Sequence, residues 1–363
     1  MYIYQLKDWP NFIWDADLIE KILSDLRYEQ GCLIGGMESI GFQLREEAIL
    51  QTLTQEVVKS SEIEGELLDQ TLVRSSVARQ LGMEYAAVHK IDRNIDGVVE
   101  MMLDATQHFD EPLTKKRLIQ WHSSLFPMGR KSFSKVQVGQ WRTGPVEVIS
   151  GHRGKEKIHF EGPQADQVTR EMKVFINWVN KSKLDLVLKA AVGHLWFVTI
   201  HPFDDGNGRI ARAIADMLLA RSEKVSSRFY SLSAQIQAER KDYYSILEKT
   251  QKGNLDITDW LKWFLECLKR AIEHSKISLE LILKKTKFWE SLKDVKLNER
   301  QRKVITLLLD HFEGNLTSTK WAKINRCSQD TAYRDILDLM DKKILIRNSS
   351  SGRSTSYSLK IPL

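Results

Sequence analysis

The sequence predicts a mainly helical protein in which β structure is limited to short hairpins. Only seven prolines occur in 363 residues, and apolar side chains recur over long stretches at the 3.6-residue spacing of a helix. Apolar residues make up 42% of the chain, which is enough to build a core in each of the two or three domains expected at this length. We therefore expect a helical core, with strands confined to a few glycine-bounded segments.

The N-terminal region predicts two helices within residues 15–60. Their apolar stripes are formed by Leu18, Ile22, Leu23 and Leu26, and then by Ala48, Leu50, Leu53 and Val57. Three glycines fall within Cys32–Gly41, so this segment is predicted to connect the two helices. Helical patterns then fill most of the following ranges: 72–127, 164–181, 185–200, 207–222 and 237–285.

A β-hairpin is predicted between these helices, over Gly139–Gly151 and Lys157–Phe160. Apolar and polar residues alternate in both segments, and glycines separate them. Arg142 and Lys157 are the obvious charged residues here, and the sequence assigns a partner to neither.

The segment His201–Arg212 has the residues that a bound nucleotide requires. Its sequence is His-Pro-Phe-Asp-Asp-Gly-Asn-Gly-Arg-Ile-Ala-Arg. His201 is the natural proton acceptor, because histidine has the unperturbed side-chain pKa nearest to neutrality. Asp205 offers the hard oxygen ligand that Mg²⁺ prefers. The two glycines of the segment let backbone N–H groups face an anion where a helix begins. Two arginines one turn apart add forked donors that match phosphate oxygens.

At every fixed position this segment resembles the signature of the Fic family, His-Pro-Phe-x-Asp/Glu-Gly-Asn-Gly-Arg-x-x-Arg. The resemblance implies a Fic-type helical core with a small β-hairpin flap. It also implies an enzyme that moves AMP from ATP onto the hydroxyl of a protein Ser, Thr or Tyr. The implied roles are proton acceptance by His201, Mg²⁺ binding by Asp205, phosphate binding by Gly206, Asn207 and Gly208, and binding of the outer phosphates by Arg209 and Arg212.

The resemblance also covers regions outside the signature. It makes the predicted hairpin the flap that clamps a target protein by strand addition, with the chain itself as a further target. A structural hairpin that covers the core is the alternative. The N-terminal region is similar to a small helical domain that often precedes Fic cores.

Residues Ser60–Gly65 form a second motif, Ser-Ser-Glu-Ile-Glu-Gly. Taken alone, it predicts a helix end at which Gly65 supplies the left-handed cap. Glu64 has the wrong charge for the end of a helix, which indicates a partner elsewhere. Beside the signature, the match to Ser/Thr-x-x-x-Glu-Gly resembles the autoinhibitory helix of Fic proteins. That resemblance implies that Glu64 pairs with Arg212 and keeps this guanidinium from holding the γ-phosphate.

Tyr243, Tyr244 and Gln251 follow the signature on a predicted helix. In the Fic family a tyrosine pair at this distance flanks the adenine, and an amide eight residues further on reaches the nucleotide. That amide is usually Asn, so Gln251 departs from the family pattern. Core packing is the alternative for an aromatic residue at helical spacing.

His194 lies one heptad before His201 and is interpreted as a packed or hydrogen-bonded structural residue. A zinc site formed by His194, His201 and Asp204 is the alternative. No other feature of the sequence supports that site.

The last 67 residues, from Leu297, predict a separate unit. Three helical segments are followed by two strands around a turn, an order that resembles a winged helix-turn-helix. The segments are helices opened by Leu297–Gln301 and at Thr317–Lys323 and Ser328–Met340, and strands at Leu345–Arg347 and Thr355–Leu359. Twelve Lys and Arg against seven Asp and Glu place most of the net charge of +6 in this unit.

Two interpretations of this unit stay open. A basic surplus is what binding to a phosphate backbone requires. The residues that would meet DNA are Ser328, Gln329, Thr331, Tyr333 and Arg334 in the major groove and Arg353 on the wing. The same predicted helix carries four acidic residues, Asp330, Asp335, Asp338 and Asp341. Docking of a protein or formation of a homodimer is therefore the alternative to DNA binding.

The cysteines predict a reducing compartment. Cys32, Cys267 and Cys327 are widely spaced, odd in number and without the spacing of metal ligands. The first residues lack the charged start and apolar core of a signal peptide, and no apolar run is long enough to span a membrane. We therefore expect a cytoplasmic protein with no membrane partner.

The sequence thus predicts three domains. These are an N-terminal helical domain at 1–85 that carries the inhibitory helix, a Fic catalytic domain at 86–290 and a winged helix-turn-helix domain at 291–363. The leading function is that of a Mg²⁺-dependent protein adenylyltransferase restrained by Glu64. The alternative is a DNA-binding regulator whose Fic core senses a nucleotide or removes AMP from proteins. The intact His201 and both arginines of the signature favour an active core.

Overall fold

The computed structural model describes the following residues: 1–38, 41–83, 92–131, 134–150, 157–226, 228–310, 312, 314–348 and 355–360. The chain divides into two compact units, Met1–Ile277 and Ser278–Leu363. Gly151 of the predicted hairpin and Arg353 of the predicted wing lie outside the described residues. The division into three domains stays a prediction.

Helices dominate the fold, so the prediction of a mainly helical protein is confirmed. In the first unit the described helices are α1 (Ala16–Glu38), α2 (Phe42–Ile63), α3 (Gln70–Gln80), α4 (Arg93–Gln107), α5 (Lys115–Leu125), α6 (Ala165–Lys181), α7 (Leu186–Ile200), α8 (Asn207–Glu223), α9 (Leu232–Ala238) and α10 (Arg240–Gln251). Helix α11 (Thr258–Ser291) begins in the first unit and ends in the second. None of the described helices is both long enough and apolar enough to cross a lipid bilayer.

Helix α1 continues into the segment that the sequence predicts as a connection. Residues 32–38 are helical, so the prediction of a connection that begins at Cys32 is wrong. Leu33 and Met37 lie one turn apart, extend the buried stripe of α1 and are 2% and 1% exposed. Burial of each such side chain contributes ~1.5–3 kcal/mol, which exceeds the cost of about 1 kcal/mol for each glycine in a helix. Packing therefore outweighs the glycine signal.

Helices α7 and α8 form the centre of the first unit. Every residue of α7 after Leu186 is buried, as expected for a helix that is apolar on all sides. Asp185 caps the start of α7 by accepting hydrogen bonds from the backbone N–H groups of Val187 and Leu188. Most of α8 is buried as well. The loop at 201–206, which joins these two helices, is therefore anchored at both ends in the core.

Two small antiparallel hairpins lie between α5 and α6 in the chain. The first pairs β1 (Arg130–Lys131) with β2 (Ser134–Lys135), and the sequence did not predict it. The second pairs β3 (Glu147–Ser150) with β4 (Lys157–Glu161), which confirms the predicted hairpin. Its register shifts once within β3, an irregularity that bends a strand locally.

The second unit has a hydrophobic core of its own. Its remaining elements are α12 (Glu299–Asp310), α13 (Ser318–Asn325), α14 (Gln329–Asp341), β5 (Leu345–Arg347) and β6 (Tyr357–Leu359), and the two strands are antiparallel. Trp321, Ile336 and Leu339 are fully buried in this core. Thr317 and Ser328 cap the starts of α13 and α14. The predicted order of helices and strands is present, and the assignment of a winged helix-turn-helix stays a prediction.

Candidate functional site

His201 ends α7 in an uncommon backbone conformation. Its φ of 51° and ψ of 58° lie in the left-handed region, where residues other than glycine are rare. Its Nδ1 atom lies 3.0 Å from the carbonyl oxygen of Val198, so Nδ1 donates a hydrogen bond and Nε2 is left as the acceptor. Burial lowers the pKa of His201 from its ordinary 6.5, and the nearby charge of Arg142 acts in the same direction. The ring is therefore neutral near pH 7 and can accept a proton at Nε2.

Asn207 and Gly206 determine the shape of the loop between α7 and α8. The buried side chain of Asn207 accepts a hydrogen bond from the N–H of Phe203 at 3.0 Å and donates one to the carbonyl of Phe203 at 2.8 Å. Gly206 has a φ of 80°, and a Cβ at this position would lie 3.0 Å from the ring of Phe126. Both polar ends of the Asn207 side chain thus hold the loop, and its contact with a phosphate stays a prediction.

The carboxylate of Glu64 lies at the start of α8. A Cβ built on Gly208 would lie 2.0 Å from Oε1 of Glu64 and 3.2 Å from Nη1 of Arg212. The first N–H groups of a helix have no partner within the helix and carry the positive end of its dipole, so anions bind there. Because Gly208 has no side chain, there is room for the carboxylate. A negative group of the protein therefore occupies the place predicted for a phosphate.

Arg212 is buried and is held by the end of α2. Its Nη2 atom lies 2.9 Å from Oε1 of Glu64, so the predicted pairing is present. Ser60 contributes two acceptors, its Oγ at 2.9 Å from Nε and its carbonyl oxygen at 2.8 Å from Nη2. Burial alone would lower the pKa of Arg212, but Glu64 together with Tyr243 and Tyr244 outweighs this effect, and the pKa is raised. Ser60 and Glu64 of the second motif thus bind one guanidinium.

Arg209 is paired with Glu66, a residue that the sequence did not indicate. Its Nη1 atom lies 2.7 Å from Oε2 of Glu66, and its guanidinium lies over the ring of Phe126 at 5.2 Å. Among the described residues, Nε and Nη2 of Arg209 and Nη1 of Arg212 are buried without a hydrogen-bond partner. A buried donor without an acceptor costs ~1–3 kcal/mol. A ligand with several acceptor oxygens would remove that cost.

A left-handed turn at Gly65 brings both carboxylates to the arginines. Gly65 has a φ of 82°, which glycine adopts without strain, so the predicted cap is confirmed. The N–H groups of Glu64 and Glu66 both donate to the carbonyl of Ser61, at 3.1 and 3.0 Å. The backbone of both glutamates is therefore fixed where their side chains reach the arginines.

Tyr243 and Tyr244 lie near Arg212, and both hydroxyls have protein partners. The hydroxyl of Tyr243 lies 2.9 Å from Nε2 of His194, and that of Tyr244 donates to the carbonyl of Ile63 at 3.3 Å. Burial raises the pKa of both tyrosines. Burial also lowers the pKa of His194 to about 3, and the charge of Arg212 adds to this effect. His194 is thus a neutral, hydrogen-bonded core residue, and contact of either tyrosine with adenine stays a prediction.

Gln251, the predicted nucleotide-binding amide, forms a contact between two helices. Gln251 is buried, and its Nε2 donates to Oγ1 of Thr199 at 3.2 Å, which joins α10 to α7. Its contact with a nucleotide stays a prediction.

Within the described ranges, no group of three or more His, Cys, Asp or Glu side chains is arranged to hold a metal ion. The zinc alternative at His194, His201 and Asp204 is therefore wrong, since His194 bonds a tyrosine in the core.

Asp205, the predicted magnesium ligand, is partly exposed just before α8. Its Oδ1 atom accepts a hydrogen bond from the N–H of Gly206 at 2.7 Å, which orients the carboxylate. Mg²⁺ keeps several waters and is usually held by one or two carboxylates together with substrate phosphates, not by a closed cage of side chains. One oriented carboxylate next to a candidate phosphate site fits that requirement.

Two family models match parts of the chain. The Fic/DOC family model matches residues 112–219, and the model of a domain of unknown function (DUF4172) matches residues 2–83. A protein adenylyltransferase Fic of Nematostella vectensis is 24% identical over 233 residues, which are 62% of this chain and 49% of that protein. A probable protein adenylyltransferase of Aquifex aeolicus is 28% identical over 119 residues, which are 31% of this chain and 35% of that protein. The chain thus spans about half the length, or less, of these curated relatives.

The fold matches that of a solved Fic protein. The crystal structure of a Fic family protein from Desulfovibrio desulfuricans has a TM-score of 0.54 with this chain at 20% identity, covering 93% of this chain and 96% of that chain. A likeness at this identity shows the fold alone. The segment at 201–212 lies within the range that the Fic/DOC model matches. Residues 112–219 of this chain are therefore similar to the Fic/DOC family.

Proposed function

We propose that the chain is a protein adenylyltransferase, which transfers AMP from ATP to the hydroxyl of a Ser, Thr or Tyr in a protein. The observation that carries the proposal is the set of donors at the start of α8. Two buried arginines there have three nitrogens without a partner among the described residues, next to a helix N-terminus. A neutral histidine ends the preceding helix. The names of the relatives as protein adenylyltransferases support the same chemistry.

The residues of the site suit each part of this reaction. The acceptor hydroxyl attacks the α-phosphorus, and the new O–P bond forms while the bond to the β-phosphate oxygen breaks. Pyrophosphate leaves, and the hydroxyl proton passes to Nε2 of His201. The N–H groups at 206–208, Arg209 and Arg212 bind the phosphates. Because the protein performs little covalent chemistry in such transfers, positioning and charge stabilisation supply most of the rate.

A metal ion and an acceptor protein complete the proposed reaction. Asp205 would hold Mg²⁺, which neutralises charge on the phosphates when it is bound. The acceptor, another protein or the chain itself, docks on the β3–β4 hairpin. One end of that hairpin lies close to the proposed base, because a Cβ on Gly162 would lie 3.6 Å from Cβ of His201.

Glu64 restrains the proposed reaction. Its carboxylate neutralises Arg212 at 2.9 Å and lies where the helix N-terminus would bind a phosphate. The γ-phosphate of ATP reaches Arg212 productively only after Glu64 has moved away. The protein therefore has low activity until this ion pair opens.

The test compares wild type, Glu64→Gly and the double variant Glu64→Gly/His201→Ala, each incubated with Mg²⁺ and α-phosphate-labelled ATP. We expect label on the protein to rise at least ~10-fold in Glu64→Gly and to vanish in the double variant. A 10-fold rise corresponds to about 1.4 kcal/mol, the effect of one regained charge-assisted contact. Glu62→Gly is the matched control, because Glu62 lies on the last turn of α2, two residues before Glu64, and bonds Lys59 of α2 and Gln237 of α9.

Each outcome of this comparison is informative. No label in any folded variant that still binds nucleotide would contradict adenylyl transfer and favour a nucleotide-sensing or AMP-removing core. Equal label in wild type and Glu64→Gly would contradict the restraint. An equal rise in Glu62→Gly would show that disturbance of α2, and not loss of the carboxylate, releases activity.

A specific observation also favours DNA binding by the second unit as a second candidate function. Two of the four acidic residues on α14 are neutralised within the protein. Asp335 is 6% exposed and lies 2.7 Å from Arg300, and Asp338 is ion-paired with a lysine at 2.5 Å. The exposed side of α14 presents Tyr333 and Arg334, which suit contact with a phosphate backbone.

This second candidate is tested by titrating the full chain with duplex DNA at several salt concentrations. We expect the logarithm of the binding constant to fall linearly with the logarithm of salt, by ~0.9 for each phosphate neutralised. Arg334→Ala should reduce that slope by about one, and Lys249→Ala, which removes a lysine that is 70% exposed in the first unit, should leave it unchanged. Binding that does not depend on salt would favour a protein partner or a second copy.

A further inference from the structure

Arg142 is a buried arginine to which the proposed reaction assigns no role. It precedes the β3–β4 hairpin and is 2% exposed. A buried guanidinium is usually paired with a carboxylate. The hydrogen bonds of this guanidinium to the described residues instead go to backbone carbonyl oxygens.

These carbonyls belong to three separate segments of the chain. On the loop that follows α7, Nε of Arg142 donates to the carbonyl of His201 at 2.7 Å. Before the hairpin, Nη1 donates to the carbonyl of Gly144 at 2.8 Å, and after it Nη2 donates to the carbonyl of Pro163 at 2.5 Å. The backbone N–H of Arg142 adds a bond to the carbonyl of Pro202 at 2.9 Å. One residue thus joins the segment that carries the proposed base to both ends of the hairpin.

Two observations show that the three segments fit tightly. His201 has a left-handed φ of 51°, a conformation that persists in such residues when the surroundings hold it. A Cβ on Gly162 would lie 2.6 Å from Cγ1 of Val146 and 3.1 Å from Nη2 of Arg142. The end of the hairpin therefore packs closely against the guanidinium of Arg142, and the charge-assisted hydrogen bonds of Arg142 keep the hairpin end from moving away from His201.

We propose that Arg142 is a positioning residue, which fixes His201 relative to the hairpin on which the acceptor hydroxyl docks. This inference rests on the proposed function. A general base must come within ~2.6–3.2 Å of the hydroxyl that it deprotonates, and a displacement of about 1 Å can lower the rate ~10²-fold. Lysine cannot take over this role, because one ammonium lacks the planar fork that reaches three carbonyls at once.

The test introduces Arg142→Lys and Arg142→Met into the Glu64→Gly protein. We expect kcat for AMP transfer to fall ~10²-fold in both. The Kd for ATP should change by less than ~3-fold, below about 0.7 kcal/mol, because the phosphate donors are untouched. Arg221→Met is the matched control, since Arg221 also donates to two backbone carbonyls, those of Phe109 and Glu111. It should lower Tm and leave kcat unchanged.

The outcomes separate this proposal from the proposed function. Unchanged kcat in a folded Arg142→Lys protein would overturn the positioning role, and so would a loss of ATP affinity as large as the loss of kcat. A Glu64→Gly protein that transfers no AMP would contradict the proposed function instead. In that case ¹⁵N-histidine NMR still tests Arg142, because the Nδ1–H signal of His201 should shift in Arg142→Lys and stay in place in Arg221→Met. An unshifted signal in Arg142→Lys would overturn the proposal.

Discussion

At the scale of single residues, Glu66 adds a second carboxylate to the two arginines of the site. In Glu66→Gln the ion pair with Arg209 at 2.7 Å is lost. The side chain of Glu66 is 30% exposed, so we expect the free energy of unfolding to fall by only ~1 kcal/mol. ATP should bind up to ~10-fold more tightly, the equivalent of about 1.4 kcal/mol, because Arg209 is no longer neutralised. Calorimetric titration with ATP, together with Tm in its absence, measures both effects.

The control for this prediction is Glu47→Gln, which breaks an ion pair of Glu47 with Arg74 in which the glutamate is 50% exposed. It should leave the affinity for ATP unchanged. Weaker ATP binding in Glu66→Gln would contradict the prediction and would mean that Glu66 orients Arg209 for the phosphates.

The sequence indicates the chemistry of the site better than it indicates the partners of each residue. His201 and Arg212 are recognised because their residue types recur at fixed spacing. The pairing of Glu66 with Arg209 and the bond of Arg142 to His201 are missed, because these partners lie 143 and 59 residues apart along the chain and no local spacing rule connects them. The one local signal for Glu66 is that it follows Glu64 by two residues across a glycine turn.

At the scale of elements, His159 connects the β3–β4 hairpin to α10. Its Nε2 lies 2.6 Å from Oγ of Ser150, and its Nδ1 lies 2.6 Å from Oε2 of Glu248. The hydrogen bond from Lys252 and that from His159 lower the pKa of Glu248 to about 2. A carboxyl group whose pKa is lowered on folding stabilises the folded state at a pH above its unfolded pKa, which is near 4.5. This stabilisation is lost as the pH falls through about 2.

We therefore expect Glu248→Gln to loosen the hairpin. Amide hydrogen exchange in 147–150 and 157–161 should quicken several-fold near pH 7, because the exchange rate follows the free energy of local opening. In wild type the contact should still protect these amides at pH 4, where Glu248 remains ionised. Asp242→Asn, an exposed change on the same helix, is the control and should have no effect. Unchanged exchange in Glu248→Gln would show that strand pairing alone holds the hairpin.

Two helices of the first unit, α6 and α7, are predicted from sequence almost to the residue. The predicted range 164–181 corresponds to the observed helix Ala165–Lys181, and the predicted range 185–200 corresponds to Leu186–Ile200. The first helix extends further than predicted because burial outweighs its glycines. The β1–β2 hairpin has two residues in each strand, which is too short for an alternating pattern to be recognised.

At the scale of the whole molecule, the sequence predicts the helical class and a distinct C-terminal unit. It gives no signal for the limit at Ile277/Ser278, which falls inside α11, because helical periodicity continues across that point. Tertiary contacts define this limit, and such contacts have no counterpart in local spacing. The assignment of a winged helix-turn-helix and the identity of its partner stay predictions. The order of elements does not determine what this unit binds, because function lies in a surface.

The separate core of the second unit makes a last prediction. Trp321 is fully buried there, and Trp321→Ala should lower the free energy of unfolding by ~3–5 kcal/mol. A unit of this size has in total about 4–13 kcal/mol, so the change removes a large share of its stability. Hydrogen exchange of α12, α13 and α14 should therefore quicken strongly. Tyr333→Ala, which removes an aromatic side chain that is 51% exposed on α14, should change stability by less than about 0.5 kcal/mol. Equal effects of the two substitutions would mean that the unit lacks a tightly packed core.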